Sequence, residues 1–319
     1  MVLLIDRVGD KEMSVDKEQL KQQVEAVSPS IAHELERELA KHFDKCGLFY
    51  RIFSRCKSAS STVSKITEKE AKYEAEGKRM QDLIGVRIVL YFKDDIDLCI
   101  RIIENNYTKL EIVRDEEQSD TFSPMRLNIV CAMPENISVM FSPEIWEFLI
   151  DKTFEIQIRT IFSEGWHEVE HDMRYKHKSD WEDHIELSRN LNGIFATLET
   201  CDWAILNVLD QLAYQKYRAG DWEAMLRNHF RIRMDHSKLS AKIRDIFDDN
   251  RNLAKEFLKV DRKILLVYLS NPKMRAFPKN ISNLVFLANE LIINNPELSQ
   301  IAPQLIKDHI NQVRPYLDS

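Results

Sequence analysis

Thr153-Phe154-Glu155-Ile156-Gln157-Ile158-Arg159-Thr160 runs directly into Ile161-Phe162-Ser163-Glu164-Gly165-Trp166-His167-Glu168-Val169-Glu170-His171. In the first eight residues Phe154, Ile156 and Ile158 alternate with Glu155, Gln157 and Arg159. This is the two-residue period of a strand with one apolar and one polar face. A carboxylate, an amide and a guanidinium in one row suit a cleft that handles a metal-bound polyphosphate, whereas a plain amphipathic strand needs none of the three. Periodicity alone does not separate these readings, so the rest of the chain must decide.

Working outward, Gly85-Val86-Arg87-Ile88-Val89-Leu90-Tyr91-Phe92 is rich in β-branched and aromatic residues and reads as a central strand buried on both sides. A helix is expected over 94–106 and a strand over 109–114. The acidic segment 115–120 reads as a loop, and a third strand is expected over 125–132, with Leu127, Ile129 and Cys131 on one face and Arg126 and Asn128 on the other. Upstream, one polar helix runs from a Ser14 cap to Val27. A second runs from Ser30 to about Lys45, carrying Ile31, Leu35, Leu39 and Phe43 on one stripe and ending at Gly47. Tyr50-Arg51-Ile52-Phe53 precedes a turn-rich segment, Ser54 to Ser61, and then a charged helix from Ser61 to Glu76. Lys65, Lys69 and Lys72 share a face of that helix, a solvated one for the last two. Four strands interleaved with helices, followed by helices alone, predict an α+β fold whose mixed sheet is covered by helices. Beyond Asp180 the pattern is helical at 181–217, 222–234, 236–258, 282–294 and 296–313, with breaks at Gly220, Asn271-Pro272 and Phe277-Pro278.

The chain has 319 residues, 44% hydrophobic and 30% charged, with only 7 Gly and 9 Pro, which suits a helix-rich globular protein. No apolar run reaches the roughly 20 residues that span a bilayer, and the N-terminus lacks a signal-peptide layout. A cytoplasmic protein without a membrane partner is expected. The five cysteines are scattered with no C-x-x-C pair, so they read as reduced packing residues. Charge is uneven: residues 216–319 carry 18 basic against 12 acidic residues, net +6, leaving −13 elsewhere. Attraction between the two halves is the simpler meaning, and an acidic partner such as RNA is the sharper one.

Four clusters fall in order along the chain: Arg55-x-Lys57-x-x-x-Ser61-x-x-x-Lys65, Asp82-x-x-Gly85-x-Arg87, Glu155-x-Gln157-x-Arg159-Thr160, and Trp166-x-x-x-Glu170-His171-x-x-x-Tyr175-Lys176. Together they resemble the synthetase domain of the RelA/SpoT family, the enzymes that make the alarmones ppGpp and pppGpp. The resemblance covers roughly residues 30–215 and implies a nucleotidyltransferase-like synthetase domain flanked by helices, after an N-terminal helical segment (1–29) and before an all-helical region (216–319).

The resemblance also assigns roles. Asp82 and Glu155 would bind Mg²⁺, with Glu155 also the general base on the acceptor 3′-OH. Arg55 and Arg87 would hold the ATP adenine between two guanidinium planes, which suits Arg and not Lys. Lys57, Ser61 and Lys65 would grip the phosphates, and Gln157, Arg159 and His171 would line the acceptor side. Moving a pyrophosphoryl group to a ribose hydroxyl needs such a cation-rich, metal-assisted site with a base.

One motif departs. The family has Gly-Tyr-Lys/Arg-Ser-x-His where the acceptor docks, and this chain reads Thr121-Phe122-Ser123-Pro124-Met125-Arg126. Phe122 keeps a ring that can stack on a base, while Arg126 puts a permanent cation in place of the His beside Asn128. The implied reaction is transfer of the β,γ-diphosphate of ATP to GDP or GTP. An adenosine nucleotide and the tRNA 3′ end, met by the basic C-terminal region, are alternative acceptors, and a catalytically silent nucleotide-binding regulator is the alternative of another class. A homo-oligomer is a further expectation for the assembly. His167-Glu168-Val169-Glu170-His171 also fits the H-E-x-x-H zinc pattern, but the resemblance accounts for Glu170 and His171 without zinc and no third ligand stands out. No alarmone hydrolase domain is expected, since in the family it precedes the synthetase.

Overall fold

The computed structural model describes residues 17–27, 29–68, 79–114, 127–147 and 149–313. Its centre is a five-stranded sheet of β1 (Tyr50–Cys56), β2 (Ile84–Leu90), β3 (Lys109–Arg114), β4 (Leu127–Ala132) and β5 (Thr153–Thr160), in the order β1-β2-β5-β4-β3. β2 and β5 run parallel and the other three pairings are antiparallel, so the sheet is mixed as expected. Because side chains alternate, Ile84, Val86, Ile88, Phe154, Ile156, Ile158, Leu127, Ile129 and Cys131 all fall on one face, and all are buried. They share a core with Ile31, Leu35, Leu39 and Phe43 of α2 (Pro29–Cys46), the stripe read from the sequence. α4 (Ile96–Asn106) adds Leu98, Cys99, Ile102 and Ile103, while α1 (Lys17–Glu25) packs on α3 (Ala59–Glu68).

α2 stops where the chain must turn left-handed. Gly47 has φ +79°, and a Cβ there would come within 2.7 Å of Ile232 and 2.8 Å of the Arg233 carbonyl. Only glycine fits both demands.

β1 corrects the sequence reading. Ser54-Arg55-Cys56, taken as the start of a turn-rich segment, continues the strand and pairs with β2 rung by rung down to Cys56 opposite Ile84. As an edge strand it covers the core with one face only, so Ser and Arg lack the apolar signature while ladder bonding decides the conformation.

After α5 (Glu135–Ser138) and α6 (Ile161–Glu170) come α7 (Ile185–Ala219), α8 (Trp222–Phe230), α9 (Ala241–Asp249), α10 (Arg251–Phe257), α11 (Arg262–Ser270), α12 (Ile281–Ala288), α13 (Pro296–Ile301) and α14 (Gln304–Val313). The helix expected over 236–258 is two, because the Asn250 side chain accepts from Leu253 N and caps a new start. The one expected over 296–313 is also two, parted at Ala302-Pro303. α11 was missed altogether: Ile264-Leu265-Leu266-Val267-Tyr268-Leu269 is a short unbroken apolar run that periodicity cannot assign.

α11 packs on α2 and α4 and carries the ion pairs that tie the C-terminal helices to the sheet domain. Buried Arg262 donates to buried Asp95 and also to the carbonyls of Phe230 (2.8 Å) and Arg231 (3.0 Å), while Arg231 donates to Asp94 at 2.7 Å. The boundaries read from the sequence, at 29/30 and 215/216, fall in the first turn of α2 and near the end of α7. Among the described residues no helix is long and apolar enough to cross a membrane.

Candidate nucleotide site on the polar face of the sheet

The face of the sheet away from the core gathers the chemistry. Register sets Arg55 opposite Gly85 and Gly85 opposite Glu155. One rung along, Arg87 stands opposite Gln157 and Gln157 opposite Asn128. Arg55 is therefore a diagonal neighbour of Arg87 on the same face, within reach for long side chains. Gly85 leaves the floor low between them: a Cβ there would touch the Arg55 side chain at 4.0 Å.

Hydrogen bonds join the row. Arg87 Nε donates to Gln157 Oε1 at 3.2 Å, and Gln157 Nε2 donates to Glu155 Oε2 at 2.9 Å. Asn128 Nδ2 donates to the other oxygen, Glu155 Oε1, at 3.1 Å. Both carboxylate oxygens of Glu155 are thus oriented by neutral amides, which fix the group without neutralising it.

Two groups that the sequence reading missed, Glu164 and Glu168, stand one turn apart on α6 and receive Arg87 Nη1, the former at 2.7 Å. Burial works against the Arg87 charge, but these bonds outweigh it and raise its pKa. The available signal was the i, i+4 carboxylate pair on the helix directly after β5. α6 is aimed by a capping box, in which Thr160 Oγ1 accepts from Ser163 N and Ser163 Oγ accepts from Thr160 N. Thr160 also donates to buried Asp202 of α7 at 2.7 Å.

Asp82 lies two residues ahead of β2. Lys65 donates to both its oxygens at 2.7 Å, and Lys57 stands 3.1 Å from Oδ2. Burial opposes ionisation of Asp82, yet the Lys65 hydrogen bond and the charges of Lys57 and Lys65 prevail and hold its pKa below the ordinary value. Ser61 sits in the first turn of α3, where Ser58 Oγ accepts from Ser61 N at 3.2 Å. Two lysines and a helix N-terminus make this corner fit for phosphate.

Arg159 follows Gln157 on the same face of β5, opposite Val89, where it is buried and donates to the Ile158 carbonyl at 3.0 Å. His171 is in the exposed turn after α6, paired with Asp172 at 2.9 Å and stacked on Tyr175. Phe122 and Arg126 lie outside the described residues, as do Lys69 and Lys72. Among the described residues no three His, Cys, Asp or Glu side chains are grouped to hold a metal ion by themselves, the H-E-x-x-H run included.

The architecture defines the class: an α+β domain whose mixed sheet is helix-covered on one face and lined with guanidinium, amide and carboxylate groups on the other. Residues 54–180 match the family described as the region found in RelA / SpoT proteins. A GTP pyrophosphokinase, YwaC, of Bacillus subtilis is 30% identical over 132 residues, 40% of this chain and 59% of that relative's length. Among solved structures, small alarmone synthetase 1 from Bacillus subtilis bound to its product pppGpp aligns at 19% identity and TM-score 0.46, over 60% of this chain and 95% of that one. A GTP pyrophosphokinase family protein from Streptococcus pneumoniae aligns at 18% identity and TM-score 0.43, over 60% and 92%.

Proposed function

We propose that the chain is a pyrophosphotransferase that moves the β,γ-diphosphate of ATP to the 3′-OH of GDP or GTP, releasing AMP. The observation that carries this reading is the hydrogen-bonded row Arg87–Gln157–Glu155–Asn128 across three strands, beside the Lys57–Asp82–Lys65 corner. Arg55 and Arg87 face the adenine, and Lys57, Lys65 and Ser61 take the phosphates. Glu155 accepts the proton of the 3′-OH, the freed oxygen bonds to the β-phosphorus, and the bond from that phosphorus to the α–β bridging oxygen breaks, leaving the oxygen on AMP.

Asp82 and Glu155 supply the hard oxygen ligands that Mg²⁺ prefers, and Mg²⁺ in such sites is completed by substrate phosphates rather than by a protein cage, so a two-carboxylate donor set fits it. When bound, the ion would neutralise the phosphate charge. Phosphate competing for Lys57 and Lys65 would release Asp82 for this role. A cytoplasmic location, where ATP and GTP are supplied, agrees with this reading.

The test is incubation with ATP radiolabelled at the γ-phosphate against GDP, GTP, ADP, ATP and bulk tRNA. Label in GDP or GTP supports the reading. Label in tRNA or an adenosine nucleotide alone would replace the acceptor, and no transfer while ATP still binds would leave a silent nucleotide-binding protein.

A further inference from the structure

β1 turns its side chains alternately to the two sides of the sheet. Tyr50, Ile52, Ser54 and Cys56 lie on the core side, while Arg51, Phe53 and Arg55 stand on the nucleotide face and are all exposed. Phe53 is 52% exposed there, amid the charged and amide groups of the site. Its neighbours Phe49 and Tyr50 pack on the rings of Tyr91 and Phe43, but among the described residues no ring or cation packs on Phe53. One exposed apolar side chain is ordinary by itself, so the case rests on where this one stands.

The register places it. Phe53 is opposite Arg87, and Arg55 is opposite Gly85. The four positions form a square on one face, and its fourth corner, Gly85, has no side chain. A Cβ at Gly85 would meet only the Arg55 side chain within 4.0 Å. Two residues along a strand advance about 6.6–6.8 Å. Stacked bases lie about 3.4 Å apart, so one flat ring fills the gap between two flat side chains at that spacing.

β1 offers two such gaps, and they are not equivalent. The gap between Arg51 and Phe53 is backed on β2 by the side chains of Val89 and Arg87. The gap between Phe53 and Arg55 opens across the bare Gly85 floor toward Glu155, and its Arg55 side is two residues from Lys57 of the phosphate corner. A purine there has a guanidinium plane on one face and a phenyl ring on the other. Arg87, drawn toward α6 by Glu164 and Glu168, meets the ring from the next strand, so the phenyl covers what that guanidinium leaves open.

We infer that Phe53 is a donor-binding residue whose phenyl ring stacks on the adenine of ATP, with Arg55 on the other face. The inference rests on the reading that ATP is the donor bound at this face.

Calorimetric titration with Mg²⁺ and α,β-methylene-ATP, whose α–β link is not cleaved, tests it. Phe53→Thr keeps a β-branched residue in the strand and, at an exposed position, opens no cavity, so its melting temperature should stay within a few degrees of wild type. It should bind the analogue about 10-fold or more weakly, and Phe53→Tyr, which restores the ring, should return to within about 2-fold of wild type. Contact is read separately with Phe53→Trp, whose emission should respond to the analogue and not to inorganic tripolyphosphate, which carries no base. Wild-type affinity in Phe53→Thr would overturn the inference and leave ATP as the donor. So would an equal loss for the analogue and tripolyphosphate, which would mark Phe53 as a structural support. A wild type that binds GDP and not the analogue would overturn the donor reading and this inference with it.

Discussion

Lys65 places its ammonium 2.7 Å from each carboxylate oxygen of Asp82, with Lys57 closing the same group from another side. In the proposed reaction, polyphosphate would take the two lysines and leave Asp82 free for Mg²⁺. Lys65→Ala should raise KM for ATP about 10-fold or more, with a smaller change in KM for the acceptor. Equal effects on both would place Lys65 outside the ATP phosphates.

The same contact sets a pH dependence. The folded-state pKa of Asp82 is lowered, so its pairing contributes stability that is present above the ordinary aspartate range and is lost as pH falls through the folded value. Asp82→Asn should melt below wild type at neutral pH and converge on it in acid. Parallel melting curves across this range would show that the pairing carries no linkage.

Gln157 bridges Arg87 and Glu155, the proposed adenine cation and the proposed base, through its two ends. Gln157→Leu removes both bonds at similar volume, and hydrogen bonds to charged groups contribute about 1.5–3 kcal/mol, so kcat should fall roughly 10- to 100-fold with folding intact. An unchanged kcat would mean that Glu155 is held well enough by Asn128 alone.

Glu164 and Glu168 hold Arg87 from α6. Glu164→Gln/Glu168→Gln should loosen the guanidinium and weaken ATP binding by about 10-fold, read by titration with a non-hydrolysable ATP analogue. Tighter binding in this variant would show instead that the two acids compete with nucleotide for Arg87.

At the junction with the C-terminal helices, Arg262 is buried against Asp95, whose pKa is raised because burial outweighs the pull of Arg262. Arg262→Ala leaves that aspartate buried and unpaired, a loss of about 3–5 kcal/mol in denaturant unfolding. A loss below about 1 kcal/mol would show that the two parts are stable separately.

The sheet was legible wherever burial imposed a period. β2, β4 and β5 each present an unbroken apolar set to the core, and α2 carries its stripe at every fourth residue. β1 was not read as a strand, because an edge strand owes its conformation to ladder bonds with β2, which leave no mark on Ser54-Arg55-Cys56. The helices after residue 230 were misdivided because Asn250 and Pro303 act as starts inside continuous apolar patterns. In the site, residue types on β5 announced themselves by alternation. The carboxylates that hold Arg87 did not, since their meaning depends on how α6 leaves the end of β5.

The central claim is that Glu155 serves as the base for transfer to a guanosine nucleotide. The direct measurement follows label from γ-labelled ATP into GDP and GTP with Mg²⁺, for wild type and Glu155→Gln side by side with ATP binding. Wild type should build the labelled 3′-diphosphate, and Glu155→Gln should lose at least about 100-fold in rate while still binding ATP. Undiminished transfer by Glu155→Gln would contradict the account.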